Sequence, residues 1–240
     1  MAQDQRRYFS DASQVFGVFI MGNTILTPRQ SQVVGLAKQN DEITRWYYFT
    51  GGTALAECYL HHRFSEDLDF FTTSEVSKPK IDRFIADIQP KVGYVDKKML
   101  EVSGLYMCTL FFSDGTKLKI DFNEYDFPQV EQGFRWDGLW VDSLFDITIN
   151  KLYTILSRSR ARDFVDLYCC LSAVGTDLET VLTRIPDKFP VSYEEISIGD
   201  HLAAVVDLTD YPTMLVPFDR AAMIDFFLAE AKKLEGKIFK

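Results

Sequence analysis

The stretch GGTALAECYLHHRFSEDLDFF, residues 51–71, restricts what this chain can become more than any other segment. Two glycines precede a run rich in helix formers, and Asp67 and Asp69 then stand one residue apart in an apolar stretch. Alternate residues of a β-strand face the same side, so both carboxylates project together while Leu68 and Phe70 turn to the core. Like charges held side by side are unfavourable without a compensating partner. A Gly51–Gly52 turn between strand and helix lets the backbone come close to an anion, and the amides opening a helix at Thr53 point at the same place. Taken singly, a Gly-Gly pair is more often only a turn, and a D-x-D pair more often a solvated strand face. Together, at this spacing, they outline a site for a nucleoside triphosphate.

A second strand supplies a third acid. LYMCTLFF (105–112), the turn SDG and TKLKIDFNE (116–124) read as a β-hairpin, since Asp-Gly between β-rich runs is a strong turn signal. Its period sends Leu118, Ile120 and Phe122 one way and Lys119, Asp121 and Asn123 the other. If this strand neighbours the first, three carboxylates converge on one face. Such a group suits Mg²⁺, which prefers carboxylate oxygens and is commonly completed by substrate phosphates. Two such ions about 4 Å apart stabilise the attacking and leaving oxygens of a phosphoryl-type displacement. The other reading of Asp121 is an acid on a solvated strand face beside Lys119.

Strands and helices mix before residue 142 and helices dominate after it. Helices are expected over 30–40, 53–62 and 78–90, the last stopped by Pro90, and strands at 45–50 and in DLDFF. LFDITINKLYTIL, DFVDLYCCL, SIGDHLAAVVDL and FDRAAMIDFFLAEAKKL all carry apolar positions near helical spacing. The fold class is α/β (α+β): a mixed-sheet core over 1–142, flanked by helices, and a helical C-terminal domain over 143–240. The 47% apolar content suits a globular chain. No apolar run reaches the roughly 20 residues that span a bilayer. The opening MAQDQRRYFS lacks the apolar core of a secretion signal. A cytoplasmic protein without membrane contact is therefore expected. Cys58, Cys108, Cys169 and Cys170 show no C-x-x-C spacing, and only three histidines are present, which argues against zinc. A net charge of −9 argues against non-specific coating of nucleic acid, although SRSRAR (157–162) is a local arginine cluster.

The pairing of GGTALA with HRFSEDLDFF resembles the AbiEii/AbiGii toxin-type nucleotidyltransferases, within the DNA polymerase β-type superfamily. The likeness continues through INKLYTIL, RARDFVDLY and YPTML, so it covers most of the chain. It implies a nucleotidyltransferase core in which Asp67 and Asp69 bind Mg²⁺ in a two-metal site. Asp121 is the match for a third acid that completes the site and helps deprotonate the attacking hydroxyl. It further implies that Ser65 contacts a phosphate or the metal shell, the alternative being a turn cap. Arg63 either clamps the γ-phosphate or caps the helix over 53–62, and His61 and His62 read as that helix's polar end.

The family's Lys and Arg-Asp…Asp-Leu motif corresponds to Lys151, Arg162, Asp163 and Asp166. One continuous helix from Ile149 would set Asp163 among apolar residues. A break at 157–162 avoids that and makes Asp163 an N-cap of the following helix. By resemblance Asp163 also shares a polar network with Lys151, and Lys151 neutralises charge on the leaving pyrophosphate. An exposed lysine on an amphipathic helix is the alternative.

The implied activity is transfer of a nucleoside monophosphate from a triphosphate to a hydroxyl. The acceptor is an RNA end (notably tRNA) or a protein, or else a small molecule as in antibiotic-modifying relatives. A toxin role would bring a cognate antitoxin. The rival is a non-catalytic protein of the same fold that binds nucleotide or a partner.

Overall fold

The computed structural model describes residues 24–191 and 195–238. MAQDQRRYFS, and with it the outer limit of the expected first domain, lies outside the described residues. The described chain forms two compact units. One comprises residues 24–59 and 64–143; the other comprises 60–63 with the helices after 144.

The first unit is built on a seven-stranded sheet. Its elements are α1 (Pro28–Ala37), α2 (Asp41–Trp46), β1 (Tyr48–Thr50) and α3 (Gly51–Leu55), which runs on as a π-helical turn (Ala56–Leu60). Then come β2 (Leu68–Thr72), α4 (Lys78–Val92), β3 (Asp96–Val102), β4 (Leu105–Phe111), β5 (Lys117–Glu124), β6 (Phe134–Trp136) and β7 (Leu139–Val141). The sheet order is β3-β4-β5-β2-β1-β7-β6. Strands β2 and β5 are parallel neighbours with Asp69 opposite Asp121, and β1 lies antiparallel to β2 with Thr50 opposite Asp69. One face of the sheet is packed: Phe49, Leu68, Phe70, Ile120 and Phe122 are fully buried with Ile81 and Ile85 of α4. Phe70 stacks on Phe122 at 5.5 Å between ring centroids. Burial of that face, at about 25 cal/mol per Å² of apolar surface, fixes the register. It therefore fixes which residues the other face presents.

The second unit is helical: α5 (Leu144–Ser157), α6 (Ala161–Val174), α7 (Leu178–Lys188), α8 (Glu195–Ala203) and α9 (Arg220–Ile238). Phe164, Tyr168, Phe226 and Phe227 form its aromatic core. The expected break between α5 and α6 is present, at residues 158–160.

Four expectations need correction. The strand expected over 45–50 shrinks to Tyr48–Thr50, because Asn40 caps a helix that runs through Trp46. Pro90 does not stop α4, which continues to Val92 and ends at Gly93 in the left-handed conformation, φ +75°. A proline in the last turn forfeits a single hydrogen bond, which Ile81, Phe84, Ile85, Ile88 and Val92 outweigh by burial. Asp163 is not the N-cap of α6; that position is Arg160, without a side-chain cap of its own. The cap comes instead from Asp210, whose Oδ1 accepts from the Ala161 amide at 3.0 Å. Finally, α3 begins at Gly51 rather than Thr53.

Candidate active site

The open side of the sheet in the first unit carries the acids. Period-two alternation places Asp67 and Asp69 on the side away from buried Leu68 and Phe70. Residue 51 is the pivot beside them. Gly51 has φ +74°, a conformation that strains any L-residue, and a Cβ there would lie 2.8 Å from Asp69 Cγ. The glycine is thus required both for the turn from β1 into α3 and for the space that Asp69 fills.

The loop before β2 is held from two sides. Thr53, fully buried, donates its hydroxyl to the Asp67 carbonyl. Gln30, also buried, donates Nε2 to the carbonyls of Ser65 (2.8 Å) and Glu66 (3.1 Å). The same Gln30 closes a capping box on α1, its Oε1 accepting from the Thr27 amide at 2.9 Å. Thr50, opposite Asp69 on β1, donates to buried Asp142 at 2.9 Å. Sequence reasoning missed both supports. The T-x-x-Q signature of the box was there to find Gln30, whereas nothing in the sequence marks Asp142.

Asp121 is 7% exposed, so it does not stand on a solvated face. Its Oδ2 accepts from Lys119 Nζ at 2.6 Å, and its buried Oδ1 has no hydrogen-bond partner. Burial pushes the Asp121 carboxyl above its ordinary value, the nearby Asp67 adds to this, and Lys119 opposes it. Lys119 Nζ also lies 3.8 Å from Asp67 Oδ2. Burial alone would lower the Lys119 pKa, but Asp121, Asp67 and Asp69 outweigh it and keep the ammonium charged.

An all-oxygen donor set of this kind fits a hard divalent cation such as Mg²⁺. Asp67 and Asp69 share a side of β2, Asp69 is cradled by Gly51, and Asp121 Oδ1 is left without a hydrogen. A closed three-carboxylate cage is not assembled: among the described residues, no three His, Cys, Asp or Glu are gathered to hold a metal. Lys119 occupies Asp121 instead.

The remaining expected residues belong to the second unit. His62, Arg63, Lys151, Asp163 and Asp166 form a buried polar cluster there. Asp166 Oδ1 accepts from Arg63 Nε (2.6 Å) and His62 Nε2 (2.8 Å), while Oδ2 accepts from Arg63 Nη2 (2.7 Å) and pairs with Lys151 Nζ (2.7 Å). Lys151 also donates to Asp163 Oδ1 at 2.9 Å. Burial would raise the Asp166 carboxyl, but Lys151 and Arg63 hold it well below the usual range. Burial lowers the His62 pKa more than Asp166 raises it, so the ring is neutral. Its proton then sits on Nε2, and buried Nδ1 has no partner. Two cations and two anions cancel, which is how such a group tolerates burial. The segment is strapped in place by the Leu215 amide donating to the His62 carbonyl (2.9 Å) and by a bridge between Arg63 and Met214, within YPTML.

Arg63 is therefore bound to Asp166 and 3% exposed, rather than free to clamp a phosphate or cap a helix that has already ended at Leu60. His62 is likewise interior, not the polar end of a helix. Lys151 is buried, not an exposed lysine. Arg162 lies exposed in the first turn of α6, and Arg158 and Arg160 flank it on the surface. Asp166 had no sequence signal for its partners, since His62 and Arg63 stand more than a hundred residues away.

Among the described residues no helix is long and apolar enough to cross a membrane. The profile of a family described as "Nucleotidyl transferase AbiEii toxin, Type IV TA system" matches residues 37–229. The uncharacterised protein aq_aa25 of Aquifex aeolicus (strain VF5) is 34% identical over 163 residues, 66% of this chain and 71% of that protein. Among solved structures, a provisionally assigned nucleotidyltransferase from H. pylori aligns with TM-score 0.52 and 18% identity, over 88% of this chain and 97% of its own. That likeness shows the shared fold. JHP933 from Helicobacter pylori aligns with TM-score 0.48 and 17% identity, over 87% and 91%.

Proposed function

Because the chain belongs to the AbiEii nucleotidyl transferase toxin family, we propose that it moves a nucleoside monophosphate from a triphosphate to a hydroxyl acceptor. The observation that carries this reading is the register of β1, β2 and β5. It sets Asp69 between Thr50 and Asp121, with Gly51 directly against it. Acids on one side of the sheet beside a glycine turn suit a polyphosphate chelate.

In this reading Asp67, Asp69 and Asp121 would hold Mg²⁺. When bound, the metal neutralises the triphosphate and lowers the pKa of the acceptor hydroxyl. The acceptor oxygen attacks the α-phosphorus in line, the bridging oxygen between α and β phosphates leaves with pyrophosphate, and the hydroxyl proton passes to a carboxylate. Asp121, beside Asp69 in register, is the recipient that the resemblance suggests. Gly51, Gly52 and Thr53 offer the phosphates a close backbone, and Ser65 lies in the loop ahead of the acids. Rate comes mainly from orientation and fixed charge, since no covalent intermediate with the protein is needed. Lys151, Arg162, Asp163 and Asp166 enter this reading through the family alone.

The family description supports a toxin role countered by an antitoxin; the acceptor we propose is RNA, notably tRNA, or a protein, with a small molecule as the alternative. The test is to incubate the pure protein with Mg²⁺, each labelled triphosphate, and separately total RNA and total protein. Asp69→Ala serves as the control. Label transferred to one acceptor, absent with the variant and matched by pyrophosphate release, is the expected result. Nucleotide binding without transfer to any acceptor would overturn the reading in favour of a non-catalytic binding protein.

A further inference from the structure

Lys119 stands where a cation is wanted. Its Nζ is 2.6 Å from Asp121 Oδ2 and 3.8 Å from Asp67 Oδ2, so it touches one of the three acids and lies within ion-pair reach of a second. The period of β5 puts it on the same side as Asp121, and the β2–β5 register puts that side next to Asp69. A lysine ammonium is a compact point charge on a flexible stem, unlike the planar fork of arginine. It can swing away without breaking the strand. Asp121 is nearly buried, whereas Lys119 is about one-third exposed on its side chain, so the lysine is the mobile partner of the two.

We propose that Lys119 is a tethered counter-cation on the carboxylate face and must leave Asp121 before that acid can take part in metal binding. This rests on the metal-dependent reading above and adds a positioning residue to it. Two consequences follow from the geometry. Without nucleotide, a free divalent cation must displace a bonded ammonium and therefore binds weakly. Once displaced, the ammonium remains tethered to β5 beside the acids, where polyphosphate oxygens give it a new partner. Metal and triphosphate would then bind with positive coupling, because each relieves a cost that the other meets.

The test measures metal binding rather than turnover. Mn²⁺ is titrated without nucleotide and free ion counted by electron paramagnetic resonance, for the wild type, Lys119→Met and Asp69→Asn. Removing one positive charge at this distance is expected to tighten Mn²⁺ binding by about fivefold or more, whereas Asp69→Asn weakens it. Lys119→Gln replaces Lys119→Met if the latter does not fold. In parallel, acetylation of Lys119 in the wild type, read by mass spectrometry, is expected to quicken when Mg²⁺ saturates the site. Weakened binding in Asp69→Asn with unchanged or weaker binding in Lys119→Met overturns the role of Lys119 and leaves the metal reading standing. Unchanged binding in Asp69→Asn overturns the metal reading itself, and the role of Lys119 with it. Acetylation that is indifferent to saturating Mg²⁺ shows that the ammonium does not leave Asp121, and overturns the displacement.

Discussion

The carboxylate of Asp69 fills the space in which any side chain at Gly51 would have to stand. A backbone turn and an acid eighteen positions later are thereby made mutually dependent. Gly51→Ala is expected to cost roughly 1–3 kcal/mol, from its left-handed backbone and the displaced carboxylate. Urea denaturation measures the first effect. Loss of the proposed pyrophosphate release beyond what the lost stability explains measures the second. A variant of wild-type stability and activity would show that the contact is dispensable.

Gln30 ties α1 to the loop that leads into the acids, with one amide serving both. Gln30→Ala removes the capping box and two loop contacts together. A loss of about 1–3 kcal/mol is expected, in line with losing a cap and two part-buried loop hydrogen bonds. Hydrogen exchange at residues 65–69 should quicken more than in the core of β5. Uniform quickening would mean that the tie is not local.

Asp166 accepts from three side chains in a setting without solvent. Asp166→Asn leaves Arg63 without its carboxylate while Lys151 keeps only Asp163, so one buried positive charge is uncompensated and a loss of about 3–5 kcal/mol is expected. Thermal denaturation checks it, and a shift of less than about 1 kcal/mol would show that the cluster is not holding the fold.

His62 makes stability depend on pH. Its folded pKa lies below the ordinary histidine value, so the unfolded chain binds the proton more readily. Its contribution is then fully present above about pH 6.5 and is lost as pH falls below that value. Asp166 contributes in the same direction at lower pH, because its own pKa is also depressed. The melting temperature is expected to fall between pH 7.5 and 5.5, and less steeply in His62→Gln. Equal slopes in the two proteins would assign the effect to other groups.

Strand period was enough to foresee the carboxylate face. The alternation in DLDFF and KLKIDFN sorted Leu68, Phe70, Leu118, Ile120 and Phe122 inward and the acids to the other face; β2 alternates in burial as expected, whereas Asp121 on β5 is itself buried. The break before Asp163 was foreseen, though not for its expected reason: Asp163 is buried after all, with Lys151 as its partner. Strands β3, β6 and β7 were not foreseen. DKKMLEV lacks a polar–apolar alternation because β3 is an edge with exposed Leu100 and Val102. The other two are only three residues long.

What the sequence determined by itself was local: which residues alternate, where a glycine must bend the chain, and which segments are helical. What only the tertiary structure decided was pairing at a distance. That Asp210 caps α6 and that Asp166 collects Arg63 and His62 depend on which distant residues the fold brings together and, at Asp166, on the cost of leaving a buried charge unpaired. Periodicity is written in neighbouring residues, but the solvation cost of a buried charge is met by whichever opposite charge the folded chain brings within reach.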